Sequence, residues 1–271
     1  MRSAGRHGPR VHLLGFVVVL LFLFSSSPAS AGPEEPDQGG QGGSSARPVS
    51  APDFWFGQPR LSVGVRGSWL FASEGSDFFT FVQDQFTINS GDFNAPGIAV
   101  DVGVAVGSRA DVLFGFEYSG ASRTSEYRDF VDNNRLPITQ ESSLRQVNLT
   151  GSLKFALTPR GRTISQLAWI PRTVMPYAGG GAGFMWYQLE QQGDFVDFLD
   201  FEVFPARFQS DGWTPSAHLF AGTDVNVWKH LFVSVEGRYT WAASDLDRDF
   251  TGFEALDLSG FKLTAGVNLL F

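Results

Sequence analysis

From Arg60 onward the chain alternates between apolar and small or polar residues with a period of two, and the pattern recurs in eight segments. In the first, Leu61, Val63, Val65, Trp69 and Phe71 share one parity, while Ser62, Gly64, Arg66 and Ser68 share the other. Successive side chains of a strand point to opposite faces, so this is a two-faced strand. The same alternation runs through 98–106, 112–118, 147–157, 177–189, 217–227, 231–241 and 261–271. Glycine fills both parities of the fifth segment. There Ala178, Ala182, Phe184 and Trp186 are assigned outward, and Gly179, Gly181 and Gly183 inward, leaving room for long side chains from other strands. No charged residue stands on the apolar face of any segment, although 18% of the chain is charged. In hydrocarbon a charge near the midplane costs about 2–4 kcal/mol, which explains the absence. A sheet in lipid must also close, because open edges leave backbone groups unpaired. The expected fold is therefore all-β: an eight-stranded antiparallel up-and-down transmembrane β-barrel over residues 58–271.

The connections support this reading. Residues 72–96, 121–143, 190–212 and 242–257 are long, 107–110 and 228–230 are short, and 158–175 is intermediate. Short turns at one end and long loops at the other are the pattern of an outer-membrane barrel. With eight strands both termini fall on the short-turn, periplasmic side.

Ahead of the barrel, Arg2, Arg6 and Arg10 precede an apolar run from Val11 to Phe24 and the small-residue site Ala29-Ser30-Ala31. This predicts a signal peptide over 1–31, cleaved after Ala31. The apolar run is short of the roughly 20 residues a spanning helix needs. Residues 32–57, rich in Gly, Pro, Ser and Gln, read as a disordered periplasmic linker. The net charge of −8 becomes −11 once the three signal arginines are gone, which argues against nucleic acid as a partner. Absence of cysteine excludes disulfides, thiolate metal sites and a cysteine nucleophile.

The signal, the eight-strand pattern, the segment Pro176-Tyr177-Ala178-Gly179-Gly180-Gly181-Ala182-Gly183 and the terminal Phe271 together resemble the small OmpA/OmpX/OmpW-like outer-membrane β-barrel family. The resemblance covers about residues 58–271. It implies residence in the outer membrane of a Gram-negative-type bacterium, among outer-membrane lipid and lipopolysaccharide. It also implies that the barrel-assembly machinery recognises the strand ending in Phe271.

An eight-stranded barrel is just wide enough for its own side chains to fill it. The inward parity carries Arg66, Lys154, Arg238 and Lys262 against Asp101, Glu117, Asp224 and Glu236. Four against four is neutral, which points to an ion-paired plug rather than a channel ring of one sign. Arg66 with Asp101, and Lys262 with Glu236, are the expected pairs. A narrow porin-like path for small or hydrophobic solutes is the alternative. A lipid-modifying enzyme is a further alternative with less support. The barrel's histidines are His218, inward near Ser216, and His230 in a periplasmic turn, and no nucleophile, base and orienter come together. No metal-ligand spacing and no cofactor motif is present; acidic loops offer only weak oxygen ligation.

The four long loops hold 19 acidic and 5 basic residues, whereas 158–175 has Arg160, Arg162 and Arg172 with no acid. Two loops are also rich in Phe: Phe78, Phe79, Phe81 and Phe86 in the first, and Phe195, Phe198, Phe201 and Phe204 in the third. The period of three over 194–204 predicts a short helical turn with one apolar stripe. These stripes either pack together as a cap on the barrel mouth or form an exposed patch for a surface protein or host ligand. The expected role is structural or interaction-based: envelope integrity, adhesion or recognition.

Overall fold

The computed structural model describes residues 57–132, 134–165, 168–197 and 201–271. The expected signal peptide, the linker up to residue 56 and Phe198 lie outside them. Along the chain run β1 (Leu61–Ala72), α1 (Asp77–Gln85), β2 (Ala95–Ala105), β3 (Ala110–Val131), β4 (Pro137–Ala156), β5 (Gly161–Ser165), β6 (Ala168–Pro171), β7 (Val174–Val196), β8 (Val203–Trp228), β9 (Leu231–Ser244), β10 (Leu256–Asp257) and β11 (Gly260–Leu270). Eight of them, β1, β2, β3, β4, β7, β8, β9 and β11, pair antiparallel in that order. The last returns to the first with Ser62 opposite Leu270 and Ala72 opposite Gly260, so the sheet closes on itself. Phe271 completes the seam: its N–H donates to the Leu61 carbonyl, and its carbonyl accepts from Arg60 and Leu61.

The two parities of the strands separate as lipid and lumen require. Val65, Val100, Phe114, Leu149, Phe184, Leu219, Val235 and Leu263 are exposed on the outside, while Arg66, Asp101, Glu117, Asn148, His218, Glu236 and Lys262 are buried within. Apolar outside and polar inside is the reverse of a water-soluble barrel. Aromatic residues rim the apolar belt: Trp69, Phe71, Tyr118, Trp213, Trp241 and Phe261 at the long-loop end, Trp228 and Phe271 at the other.

The upper wall differs from expectation. Residues 121–143 and 190–212 are not loops, because β3 and β4 pair on to Glu126–Thr139, and β7 and β8 pair on to Val196–Val203. Among the described residues of 194–204 strand pairing replaces the expected helical turn: Phe195 faces Phe204 across a hairpin. Above Tyr118 the outward positions become Ser122, Thr124, Glu126 and Arg128, which suits water, while the inward positions Ser125, Tyr127 and Ile138 stay buried. The sheet thus continues past its apolar belt with its outer face changed in polarity. A projecting sheet has exposed edges that invite further pairing. The β3 edge is covered by the first loop, with Thr87 N–H donating to the Glu126 carbonyl. On the β8 edge, Asp249 and Asp247 accept from the backbone N–H of Gln209 and Asp211, and Pro205 supplies no N–H at all.

At the short-turn end the connection between β4 and β7 folds into the β5–β6 hairpin. Trp169 of this hairpin is buried, and Arg160 fastens the hairpin's base to Asp111 at 2.7 Å. Gly161 lies so close to the Ile170 carbonyl and the Trp169 ring that any Cβ would collide with both.

Candidate functional site

Three structures carry the chemistry of this chain: the ion-paired lumen, the cap over its outer mouth, and the tips of the two tall hairpins.

In the lumen Glu236, only 1% exposed, is the hub. Its Oε1 accepts from Arg238 Nε at 3.0 Å and Nη2 at 2.8 Å. Its Oε2 accepts from Arg66 Nη1 at 3.1 Å and Tyr177 Oη at 3.0 Å. Arg66 reaches back to Asp101 at 2.6 Å, joining β9, β1 and β2. Lys262 pairs with Glu117 at 3.1 Å, and Ser68 donates to the same carboxylate. Lys154 pairs with Asp224 at 2.5 Å, its ammonium also lying over the Tyr177 ring. All eight interior charges named from the sequence are therefore brought together in opposite-sign pairs. The expected partner of Lys262 is corrected. Lys262 stands beside Arg238 on the adjacent strand, and Arg238 and Arg66 already occupy Glu236, so the ammonium crosses the lumen to β3. Asp111, tied to Arg160, is an interior carboxylate that the sequence reading missed.

Gly179, Gly181 and Gly183 of β7 face inward, and the purpose of the first two is visible. A Cβ on Gly179 would strike the Phe220 ring, and one on Gly181 would meet His218 Nε2 at 2.9 Å. That His218 nitrogen lies 2.8 Å from Ser152 Oγ, whereas Nδ1 has no hydrogen-bond partner among the described residues. Ser216, the neighbour expected for His218, donates to Asn148 instead. Toward the short-turn end a cavity of about 60 Å³ remains, bounded by Ser62, Arg66, Asp101, Lys154, Tyr177 and Asp224 among others. That is room for a few waters among polar partners.

The outer mouth is closed by the first and fourth loops. Helix α1 turns Phe78, Phe79 and Val82 into a cluster with Phe86, Phe93, Phe250 and Leu256. The cluster sits on Met185, Tyr187 and Leu189, inward residues at the top of β7. Edge-to-face contacts link Phe79 to Phe93 at 5.0 Å and Phe78 to Phe250 at 5.5 Å, a favoured aromatic geometry. Arg128 of β3 donates to the carbonyls of Gln83 and Ile88, satisfying the helix C-terminus with a cation.

Several loop carboxylates serve this cap rather than the open surface. Asp77 accepts from the Glu254 N–H, and Glu74 accepts from the Gly91 N–H and from Gln83. Burial lifts the Glu74 carboxyl above its ordinary range against the lowering effect of the Gly91 and Phe93 N–H groups. Asp257 is the opposite case. Burial acts to raise it, but hydrogen bonds from Ser259, Ser73 and Gly75 hold it below the usual aspartate value.

Of the four third-loop phenylalanines named from the sequence, Phe195 is buried against Phe208 at 4.8 Å. Phe204 is half-exposed and Phe201, at a positive-φ turn, is 65% exposed. Phe201 stacks on Phe130 at 6.1 Å, bringing the tips of the β3–β4 and β7–β8 hairpins together, with Val131 and Leu136 also exposed beside them.

No family model matches the sequence, and no curated protein matches it. Among solved structures it is similar to Neisserial surface protein A at 11% identity, with a TM-score of 0.40, covering 78% of this chain and 97% of that one. It is similar to the N-terminal β-barrel domain of Pseudomonas aeruginosa OprF at 10% identity, with a TM-score of 0.35, covering 79% and 98%. The outer membrane protease OmpT from Escherichia coli matches at 10% identity and a TM-score of 0.37, covering 82% and 99%. At such identities and scores the activity of none of them transfers to this chain.

Proposed function

We propose that this chain is an integral outer-membrane β-barrel that works by surface contact, through the tips of its two tall hairpins. The observation that carries the reading is the change of the outer face at Tyr118, from an aromatic-rimmed apolar belt to Ser, Thr, Glu and Arg. From Ser119 to Val131 the β3 strand runs on for about 40 Å at the usual rise per residue. The hairpins thus stand well clear of the lipid and end in an apolar group. Outer-membrane lipid and lipopolysaccharide would surround the belt, and the assembly machinery would act on the strand that ends in Phe271.

The ion-paired lumen and the aromatic cap support a plugged scaffold over an open channel. A Ser152–His218 contact sealed in the lumen without an orienting carboxylate supports a non-enzymatic role. The tips are tested by replacing 129–136 and 197–202 with two-residue turns. The variant should still shift on heating in SDS gels, and intact cells displaying it should bind less of a polarity-sensitive dye than the parent. Unchanged dye binding would place the apolar group out of reach. Stable open steps in planar bilayers would replace this reading with that of a channel.

A further inference from the structure

The short-turn rim carries a ring of cations that no ion pair among the described residues uses. Arg60 stands just before β1, Arg109 in the β2–β3 turn, Arg162 on β5, Arg172 just before β7 and Lys229 in the β8–β9 turn. All five are exposed, and none makes an ion pair among the described residues. Asp111, the carboxylate at the same level, is already held by Arg160. The ring follows the strand order round the barrel, so each stretch of the circumference has a cation. Four of the five lie at the lower margin of the apolar belt: Arg60 adjoins Leu61, Lys229 adjoins Trp228, which is 76% exposed, and Arg172 and Arg109 lie near Val174 and Val106.

Long basic side chains at the edge of a lipid-facing surface lay their stems on the apolar belt and extend their charges to headgroup depth. Trp at the same level marks the interface. We infer that this rim binds the phosphate groups of anionic phospholipids in the leaflet at the short-turn end. The guanidinium forks of Arg60, Arg109 and Arg172 suit a phosphate diester, with Lys229 as a point charge. The β5–β6 hairpin adds Arg162 and the exposed Ile164 as an outrigger on the same surface. Charge complementarity selects the occupant: the ring offers only positive side chains, so zwitterionic lipid gains much less from it. A cation near an anionic surface is worth about a fivefold preference.

The inference rests on the membrane-spanning reading, and the experiment separates the two. The full chain is reconstituted into vesicles of phosphatidylcholine with one fifth phosphatidylglycerol and then extracted in mild detergent. Retained lipid is measured by native mass spectrometry. Phosphatidylglycerol should be enriched at least about tenfold over its input ratio, from several such cations acting together. The variant Arg60→Gln/Arg109→Gln/Arg172→Gln/Lys229→Gln should lose that enrichment while keeping its heat shift. A control variant, Arg123→Gln/Arg145→Gln, alters cations above the belt and should keep it. Equal retention by parent and rim variant, or loss in the control, overturns the ring. A parent that inserts and shifts on heating yet shows no enrichment overturns the ring alone. Failure to insert even in pure phosphatidylcholine overturns the barrel as well.

Discussion

Replacing Glu236 with Gln removes one negative charge and almost no volume from the centre of the lumen. The carboxylate accepts four hydrogen bonds, two on each oxygen. A glutamine amide keeps one oxygen and turns the other into a donor. Whichever way it is oriented, two of the four present donors lose their acceptor, and of these only the Tyr177 hydroxyl can turn to accept instead. If Oε2 is converted, Arg66 and Tyr177 lose their acceptor, though Arg66 retains Asp101. If Oε1 is converted, Arg238 loses both halves of its fork, and it has no other ion pair among the described residues. Hydrogen bonds to charged groups are worth about 1.5–3 kcal/mol each. Two losses agree with the about 3–5 kcal/mol expected when a buried ion pair loses one partner. The assay is reversible urea unfolding of protein folded into vesicles, followed by tryptophan fluorescence and by the heat shift in SDS gels. A second variant, Glu236→Gln/Arg238→Met, removes the stranded cation and should recover a substantial part of the loss. A cost below about 1 kcal/mol for the single variant would refute the claim that the pairs hold the lumen together.

Three further outcomes are expected. Phe79→Ala, at a side chain that is 0% exposed, should cost about 3–5 kcal/mol of cap stability and appear as faster hydrogen exchange over 77–94, with the barrel's heat shift kept. Gly181→Ala should fold poorly, because its Cβ meets the backbone at Ser152 as well as His218, whereas Gly67→Ala, with nothing nearer than a carbonyl at 4.0 Å, should fold normally; refolding yield checks both. The carboxyl of Asp257 is held below the ordinary aspartate value of about 3.9. Its contribution is therefore full above that value and is lost as pH falls through the depressed one. Protease sensitivity of 245–259 should rise only in that acid window, and Asp257→Asn should remove the rise.

The barrel itself was legible because lipid and lumen impose opposite demands on alternate residues. The clean alternation from Leu61 to Phe71 has no other economical reading. Above Tyr118 that contrast fades, since water lies outside. Ser122, Thr124 and Glu126 alternate with Arg123 and Ser125, and two polar series look like a loop. The cap that buries Ser125 and Tyr127 of the inward series comes from 77–93 and 250–258, far away in the chain. The acid-Phe repeat over 194–204 was misleading for a related reason. Its spacing imitates a helical stripe, but the two halves belong to opposite strands of a hairpin. Long side chains also defeat reasoning from neighbouring strands. Lys262 reaches across to β3, a choice fixed by which carboxylates the arginines have already taken.

Charge along the barrel axis has three separate regimes, and each follows from its local solvent. In the lumen, where dielectric is low, every charge named from the sequence is paired, because an unpaired one is costly. At the outer mouth a nominal excess of acid is partly consumed by the fold: Glu74, Asp77, Asp247, Asp249 and Asp257 accept backbone N–H groups that the loops would otherwise leave open. What remains free for a partner is thus less than the loop count suggests; at the β3–β4 hairpin tip Asp132 likewise accepts from the N–H groups of Asn134 and Leu136. At the lower rim the balance reverses, and five exposed cations make no ion pair among the described residues. A single net charge of −8 conceals this division. Among the described residues the fold gives the rim cations no internal partner, since Asp111, near their level, is already held by Arg160.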